Sequence, residues 1–131
     1  MARLTKQQII DVNDLEAVEV EVPEWGGSVL VRPLTAKQRG QFTATLVDQR
    51  QGGRTLRLQE IQIRLCGLSI VGEDGKRLFS DAELSTLGGK SSAALQHVFE
   101  EAQRLSGLSD EQVEELAGNS DETLSEDSLS D

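Results

Sequence analysis

The chain has 131 residues, enough for one domain, and its core must consist mainly of Leu, Val, Ile and Ala because aromatic residues make up only 3% of it. The formal net charge is −10, so the protein shares the sign of nucleic acids and anionic membranes, and we expect it to bind neither. Cys66 is the only cysteine, which excludes an intramolecular disulfide. We recognise no signal peptide and no apolar run long enough to span a membrane, so the expected location is a reducing cytoplasm.

The N-terminal third predicts a β-hairpin after a short helix. In residues 16–22 three valines alternate with glutamates, which is typical of a strand buried on one face, and residues 28–32 resume the alternation. Between them the sequence Pro-Glu-Trp-Gly-Gly, residues 23–27, predicts a five-residue connection. Pro33 ends the second strand because it cannot donate to a ladder.

Four helices are predicted where Ser or Thr is followed three residues later by Gln or Glu, the spacing of a capping box, and two more are predicted from apolar residues at helical spacing. Four such boxes are present: Thr5 with Gln8, Thr35 with Gln38, Ser80 with Glu83, and Ser109 with Gln112. The predicted helices span residues 5–12, 35–51, 56–68, 80–87, 91–106 and 109–117.

Two of these helices carry an apolar stripe that predicts a core face. The stripe of the helix over 56–68 is formed by Leu58, Ile61, Leu65 and Leu68. The more regular stripe, in the helix over 91–106, is formed by Leu95, Val98, Phe99, Ala102 and Leu105.

A second, smaller hairpin is predicted over residues 69–79, closed near Asp74-Gly75. Strands and helices do not alternate regularly, so we predict an α+β fold in which a small antiparallel sheet from two β-hairpins packs with a C-terminal helical part. Residues 1–118 form the predicted domain. Residues 119–131 carry five acidic and no basic side chains and are predicted to be a disordered acidic tail.

The sequence offers no catalytic constellation, and we predict a protein that is not an enzyme and uses no metal or cofactor. His97, the only histidine, lacks partners at the spacing of a dyad or a metal site. Cys66 lies at the end of an apolar helix and is interpreted as a small buried residue. A dyad of Cys66 with His97 stays open at this point, because only coordinates test it.

Four residues are the candidates for partner binding: Trp25, Arg32, Arg39 and Phe42. Trp25 stands at a hairpin tip, where it either folds back over the sheet or is an exposed anchor of the kind enriched at binding hot spots. The segment from residue 32 to residue 64 has seven basic and two acidic side chains. Phe42 is the only aromatic residue of this basic segment. We therefore interpret the segment as a solvated face that meets an acidic partner or the acidic tail, rather than as a nucleic-acid contact.

Three stretches of the sequence carry a family resemblance. They are residues 20–27, followed by Val29, Val31-Arg32, Leu34-Thr35, Arg39 and Phe42; residues 71–83, with Asp74-Gly75-Lys76 and Leu78-Phe79; and residues 98–109, with Ala102, Leu105 and Ser106-Gly107-Leu108. In this order and spacing, over roughly residues 4–117, the chain resembles tail assembly chaperones of long-tailed, siphovirus-type bacteriophages and prophages.

The resemblance implies a function in virion morphogenesis. Such chaperones bind the tape measure protein, keep it soluble and help to recruit tail tube subunits. They are similar to the short product of a gene pair in which a programmed ribosomal frameshift makes a longer form, and that form meets the major tail tube protein. The implied location is the host cell cytoplasm, with the chaperone absent from the mature virion. Self-association is left open.

The alternative, from another class, is an acidic nucleic-acid mimic or inhibitor protein. A net charge of −10 allows it, but a mimic needs carboxylates in a regular surface array. Residues 1–118 carry only −5 and include the basic middle segment. The charge pattern therefore favours the chaperone.

Overall fold

The computed structural model describes residues 2–52 and 58–117, and within them helices pack with one antiparallel sheet. The helices are α1 (Lys6–Asp11), α2 (Ala36–Gln51), α3 (Leu58–Ser69), α4 (Leu84–Gly88), α5 (Ser92–Leu105) and α6 (Asp110–Ala117). The strands are β1 (Val18–Val22), β2 (Gly27–Val31) and β3 (Ile70–Val71). The predicted α+β class is confirmed, whereas the predicted acidic tail, residues 119–131, and the domain boundary at 118 lie outside the described residues.

Local sequence fixes where the helices begin. At three of the predicted capping boxes the hydroxyl accepts from the backbone N–H three residues on, and the Gln side chain accepts from the capping residue's own N–H. At the fourth, the Glu83 carboxylate accepts from the N–H of Ser80 at 2.9 Å and from its hydroxyl at 3.2 Å. These two hydrogen bonds lower the pKa of Glu83, because they favour the charged form.

The first hairpin is tighter than its sequence predicts. Val22 pairs with Gly27, so the connection is residues 23–26 and the five-residue prediction is wrong by one residue. Pro23–Trp25 form a 3-10 turn, which Gly26 closes by donating its N–H to the first carbonyl of the turn at 3.0 Å. Gly26 has a φ of 73°, a conformation that favours glycine, and this lets the chain re-enter the sheet at once.

The second hairpin is present but short. β3 pairs with β2, and the chain returns with one bridge between Val71 and Arg77. The Gly72 N–H donates to the Lys76 carbonyl at 2.9 Å, and the Leu78 N–H donates to the Ile70 carbonyl at 3.2 Å. The return forms no strand, because the capping box at Ser80 begins the next helical segment only three residues after the bridge.

The sheet has one buried face and one mixed face, as strand alternation predicts. The buried face consists of Val20, Val22, Val31 and Ile70, each at most 5% exposed. The outer face carries Glu19, Glu21, Ser28, Leu30 and Val71. Val71 is only 2% exposed although it lies outside the main core cluster, so apolar burial also occurs on the outer face.

Helix α5 contacts α3 and two strands of the sheet, β1 and β2, while α3 also contacts α2, α4, α6 and β3. Four residues of the predicted α5 stripe are buried, and Leu105 is half-buried. In α3, Ile61 and Leu65 are fully buried, but Leu58 is 45% exposed. The prediction that Leu58 belongs to the buried stripe is therefore wrong, because its side chain is largely exposed.

The buried hydroxyl of Ser69 is a position where a substitution should stabilise the fold. Its side chain is fully buried at the end of α3, and its Oγ has no hydrogen-bond partner among the described residues. Ser69→Ala should raise the free energy of unfolding by about 1 kcal/mol, because it removes an unsatisfied hydroxyl and improves helix propensity. Urea denaturation measures the change, with the exposed Ser85→Ala as control. A loss of stability at Ser69→Ala would contradict the assignment.

Candidate partner-binding site

Trp25 occupies the last position of the 3-10 turn between β1 and β2. The turn packs against α5, and the half-buried indole contacts the hydrophobic core. Its Nε1–H is buried and meets no acceptor among the described residues. A buried unpaired donor is destabilising by about 1–3 kcal/mol, so this position is not optimised for stability alone. The indole therefore packs on the core in part and is exposed in part.

A cleft of about 400 Å³ opens beside the indole. Trp25, Phe79 and Leu87 supply its apolar lining, and the exposed side chains of Glu24 and Lys90 complete it. Leu87 is 1% exposed and Phe79 is half-buried, so the apolar part is anchored in the core. An apolar floor beside one acidic and one basic group suits an apolar side chain flanked by charges.

Tertiary structure, not local sequence, assembles this cleft. Phe79 comes from the end of the second hairpin, Leu87 from α4, and Lys90 from the link between α4 and α5. Sequence reasoning missed these three residues as neighbours of Trp25. No periodicity relates them to the first hairpin, so no signal in one sequence could have found the group.

Arg39 and Arg32 have roles within the fold. The guanidinium of Arg39 donates through Nη1 to the Ser106 carbonyl at 3.1 Å, and the Ser106 hydroxyl accepts from the Leu34 N–H at 3.0 Å. These bonds tie the beginning of α2 to the end of α5. Arg32 is half-buried, and its N–H donates to the Ser69 carbonyl at 2.9 Å, which continues the pairing of β2 with β3.

Phe42 belongs to the hydrophobic core. It is 3% exposed and lies one helical turn before Leu46, which is 1% exposed. The ring therefore presents almost no surface, and a partner contact by Phe42 stays a prediction. Trp25, Arg39 and Phe42 line three different clefts, so the structure does not bring the sequence-predicted candidates together.

Cys66 and His97 do not form a reactive pair. Cys66 is fully buried, and desolvation raises the pKa of its thiol from 9.0 to about 12. Its Sγ donates to the Leu95 carbonyl at 3.6 Å. His97 lies on the exposed side of α5. The thiol is thus held neutral, which confirms the interpretation of Cys66 as a small buried residue and opposes a thiolate nucleophile.

The N-terminal segment presents a second apolar surface. Helix α1 has no buried residue. Its apolar side chains and their neighbours are 58–63% exposed, namely Leu4, Ile9, Ile10 and Val12. These four exposed apolar side chains are a second candidate contact surface.

Comparison of the chain with family models, with curated proteins and with solved structures found no match. Within residues 2–52 and 58–117, no helix is both long and apolar enough to cross a membrane. Over the same ranges, no three His, Cys, Asp or Glu side chains are grouped so that they could hold a metal ion.

Proposed function

We propose that this chain is a tail assembly chaperone of a long-tailed bacteriophage, and that it binds the tape measure protein at the Trp25 cleft. One observation carries the proposal. Two stretches that carry the family resemblance, residues 20–27 and 71–83, meet at this cleft, to which they supply Trp25 and Phe79. The third, residues 98–109, lies largely in α5, against which the Trp25 turn packs.

The chemistry of the cleft suits a helical target. A tape measure protein is a long, largely helical chain whose apolar stripe must be covered before the tail tube forms. A large apolar side chain of that stripe enters between Trp25 and Phe79, in the manner of a helix docked in a groove. Glu24 and Lys90 pair with charges that flank the stripe, and the exposed apolar residues of α1 add a second contact.

Repetition makes the coating effective. A single cleft offers a small interface, so the affinity of one copy is modest. Many copies along one extended target act together through avidity. The net charge of −10 on each copy then keeps the coated chain soluble by repulsion. In this proposal the complex forms in the host cytoplasm, a longer frameshifted form recruits tail tube subunits, and the chaperone leaves before the virion is complete.

Co-expression tests the proposal. The tape measure protein of the same genome is produced with and without this chain, and soluble yield and co-purification are measured. We expect a soluble complex only when both are present, because the isolated target exposes its apolar stripe. If the target precipitates equally in both cases and nothing co-purifies, the proposal fails.

Variants of the cleft test where binding occurs. Trp25→Ala should weaken binding at least roughly 30-fold, as loss of a hot-spot tryptophan does. Because Trp25 also contacts the core, circular dichroism must show that the variant folds. Lys90→Glu changes an exposed rim residue and should weaken binding without affecting the fold. Lys37→Glu makes the same charge change on the exposed surface of α2, outside the cleft, and serves as the control. Equal binding by the two lysine variants would place the site elsewhere.

A further inference from the structure

β1 is an open edge of the sheet. The strand order is β1-β2-β3, and within residues 2–52 and 58–117 β1 pairs with β2 alone. On the other side of the sheet, β3 is covered by the returning chain through the bridge of Val71 with Arg77. Of the two edge strands, β1 is therefore the one whose outer backbone groups are not covered by the returning chain.

The pairing pattern shows which residues of β1 face outward. The Arg32 N–H donates to the Ser69 carbonyl, so the backbone groups of Arg32 point toward β3. Backbone direction alternates along a strand, so the N–H and C=O groups of Leu30, two residues earlier, point the same way. The alternate residues, Val29 and Val31, then face β1, where they pair with Val20 and Val18. It follows that the N–H and C=O groups of Glu19 and Glu21 point away from the sheet.

These outward groups are unpaired and lie among acidic side chains. No backbone hydrogen bond to Glu19 or Glu21 from beyond the strand pair occurs among the described residues, and both side chains are exposed. The Glu19 carboxylate accepts from the Ser28 hydroxyl at 2.6 Å, which holds it on the outer face. Val18, on the opposite face, is 37% exposed where β1 begins.

We propose that the β1 edge binds an extended partner segment as a fourth strand, and that this segment alternates basic with apolar residues. Basic side chains on its outer face lie opposite Glu19 and Glu21, and an apolar side chain on its inner face covers Val18. The same glutamates oppose pairing of β1 with β1 of a second copy, because like charges would stand opposite each other. This inference is independent of the proposed function and uses a different surface.

A designed peptide tests the edge directly. The probe is an eight-residue peptide with blocked ends that alternates Lys with Val or Thr. At saturation, amide hydrogen exchange measured by NMR should slow at least roughly tenfold at Glu19 and Glu21, because their N–H groups become hydrogen-bonded. The Val20 N–H already points to β2 and should change little, so it is an internal control. Peptide-induced shifts without protection at Glu19 and Glu21 would overturn the proposal.

Charge reversal tests the stated chemistry. The double variant Glu19→Lys with Glu21→Lys should bind the Lys peptide roughly tenfold more weakly, about threefold for each cross-strand pair, and should prefer a peptide that has Glu in place of Lys. A peptide of the same composition with all lysines at one end controls for general charge attraction. Equal binding of the alternating and block peptides, or no change on charge reversal, would show that β1 does not accept a strand.

Discussion

Replacing Phe99 by Ala should lower the free energy of unfolding by about 3–5 kcal/mol. Phe99 is 4% exposed in α5, the helix that contacts both the sheet and α3. Removal of the ring loses its transfer free energy and leaves a cavity that neighbours on two sides cannot both fill. A domain of this size is stable by only about 5–15 kcal/mol, so the loss is a large fraction of the total.

A thermal melt measures this effect, which corresponds to a decrease of roughly 10–20 °C in the midpoint. His97→Ala is the matched control, since His97 lies on the exposed side of the same helix. Its effect should stay within about 0.5 kcal/mol, as for most surface substitutions. A midpoint for Phe99→Ala equal to that of wild type would show that α5 does not hold the core together as described.

Raising the pH from about 9 to 12 should destabilise the wild-type protein by about 3 kcal/mol more than it destabilises Cys66→Ala. Burial raises the pKa of the Cys66 thiol from 9.0 to about 12, while the unfolded chain loses that proton near the ordinary value. Between these values the folded state binds more protons than the unfolded state. Stability is therefore complete below pH 9 and falls as pH rises, by about 1.4 kcal/mol per unit.

Urea titrations of both proteins at several alkaline pH values measure this difference. The slope of the free energy of unfolding against pH is compared between the two proteins. The contribution of Lys titration cancels, because both proteins have the same lysines. Because Cys66 is the only cysteine, alkylation offers a second measurement. Iodoacetamide should react slowly with the native protein and rapidly in urea, since only the exposed thiolate is nucleophilic. Identical pH slopes, or rapid native alkylation, would contradict the described burial of Cys66.

Features that depend on nearby residues were predictable from the sequence alone. The predicted capping boxes mark the beginnings of helices, because each hydrogen-bonding partner is only three residues away. The valine alternation of β1 determined which face is buried, and the stripe through Phe99 determined the core face of α5. Burial of Cys66 followed from its place in an apolar helix.

The contacts of each side chain with distant parts of the chain were not predictable in this way. Phe42 and Trp25 are both aromatic residues near polar segments, yet Phe42 is buried in the core and Trp25 lines a cleft with Phe79. The free edge of β1 likewise depends on which strands pair, because strand order is set by contacts between residues far apart in sequence. Local propensities act over one helical turn or one strand, and they contain no term for such distant neighbours. Contacts of α5 with the sheet, with α3 and with the Trp25 turn are of this long-range kind.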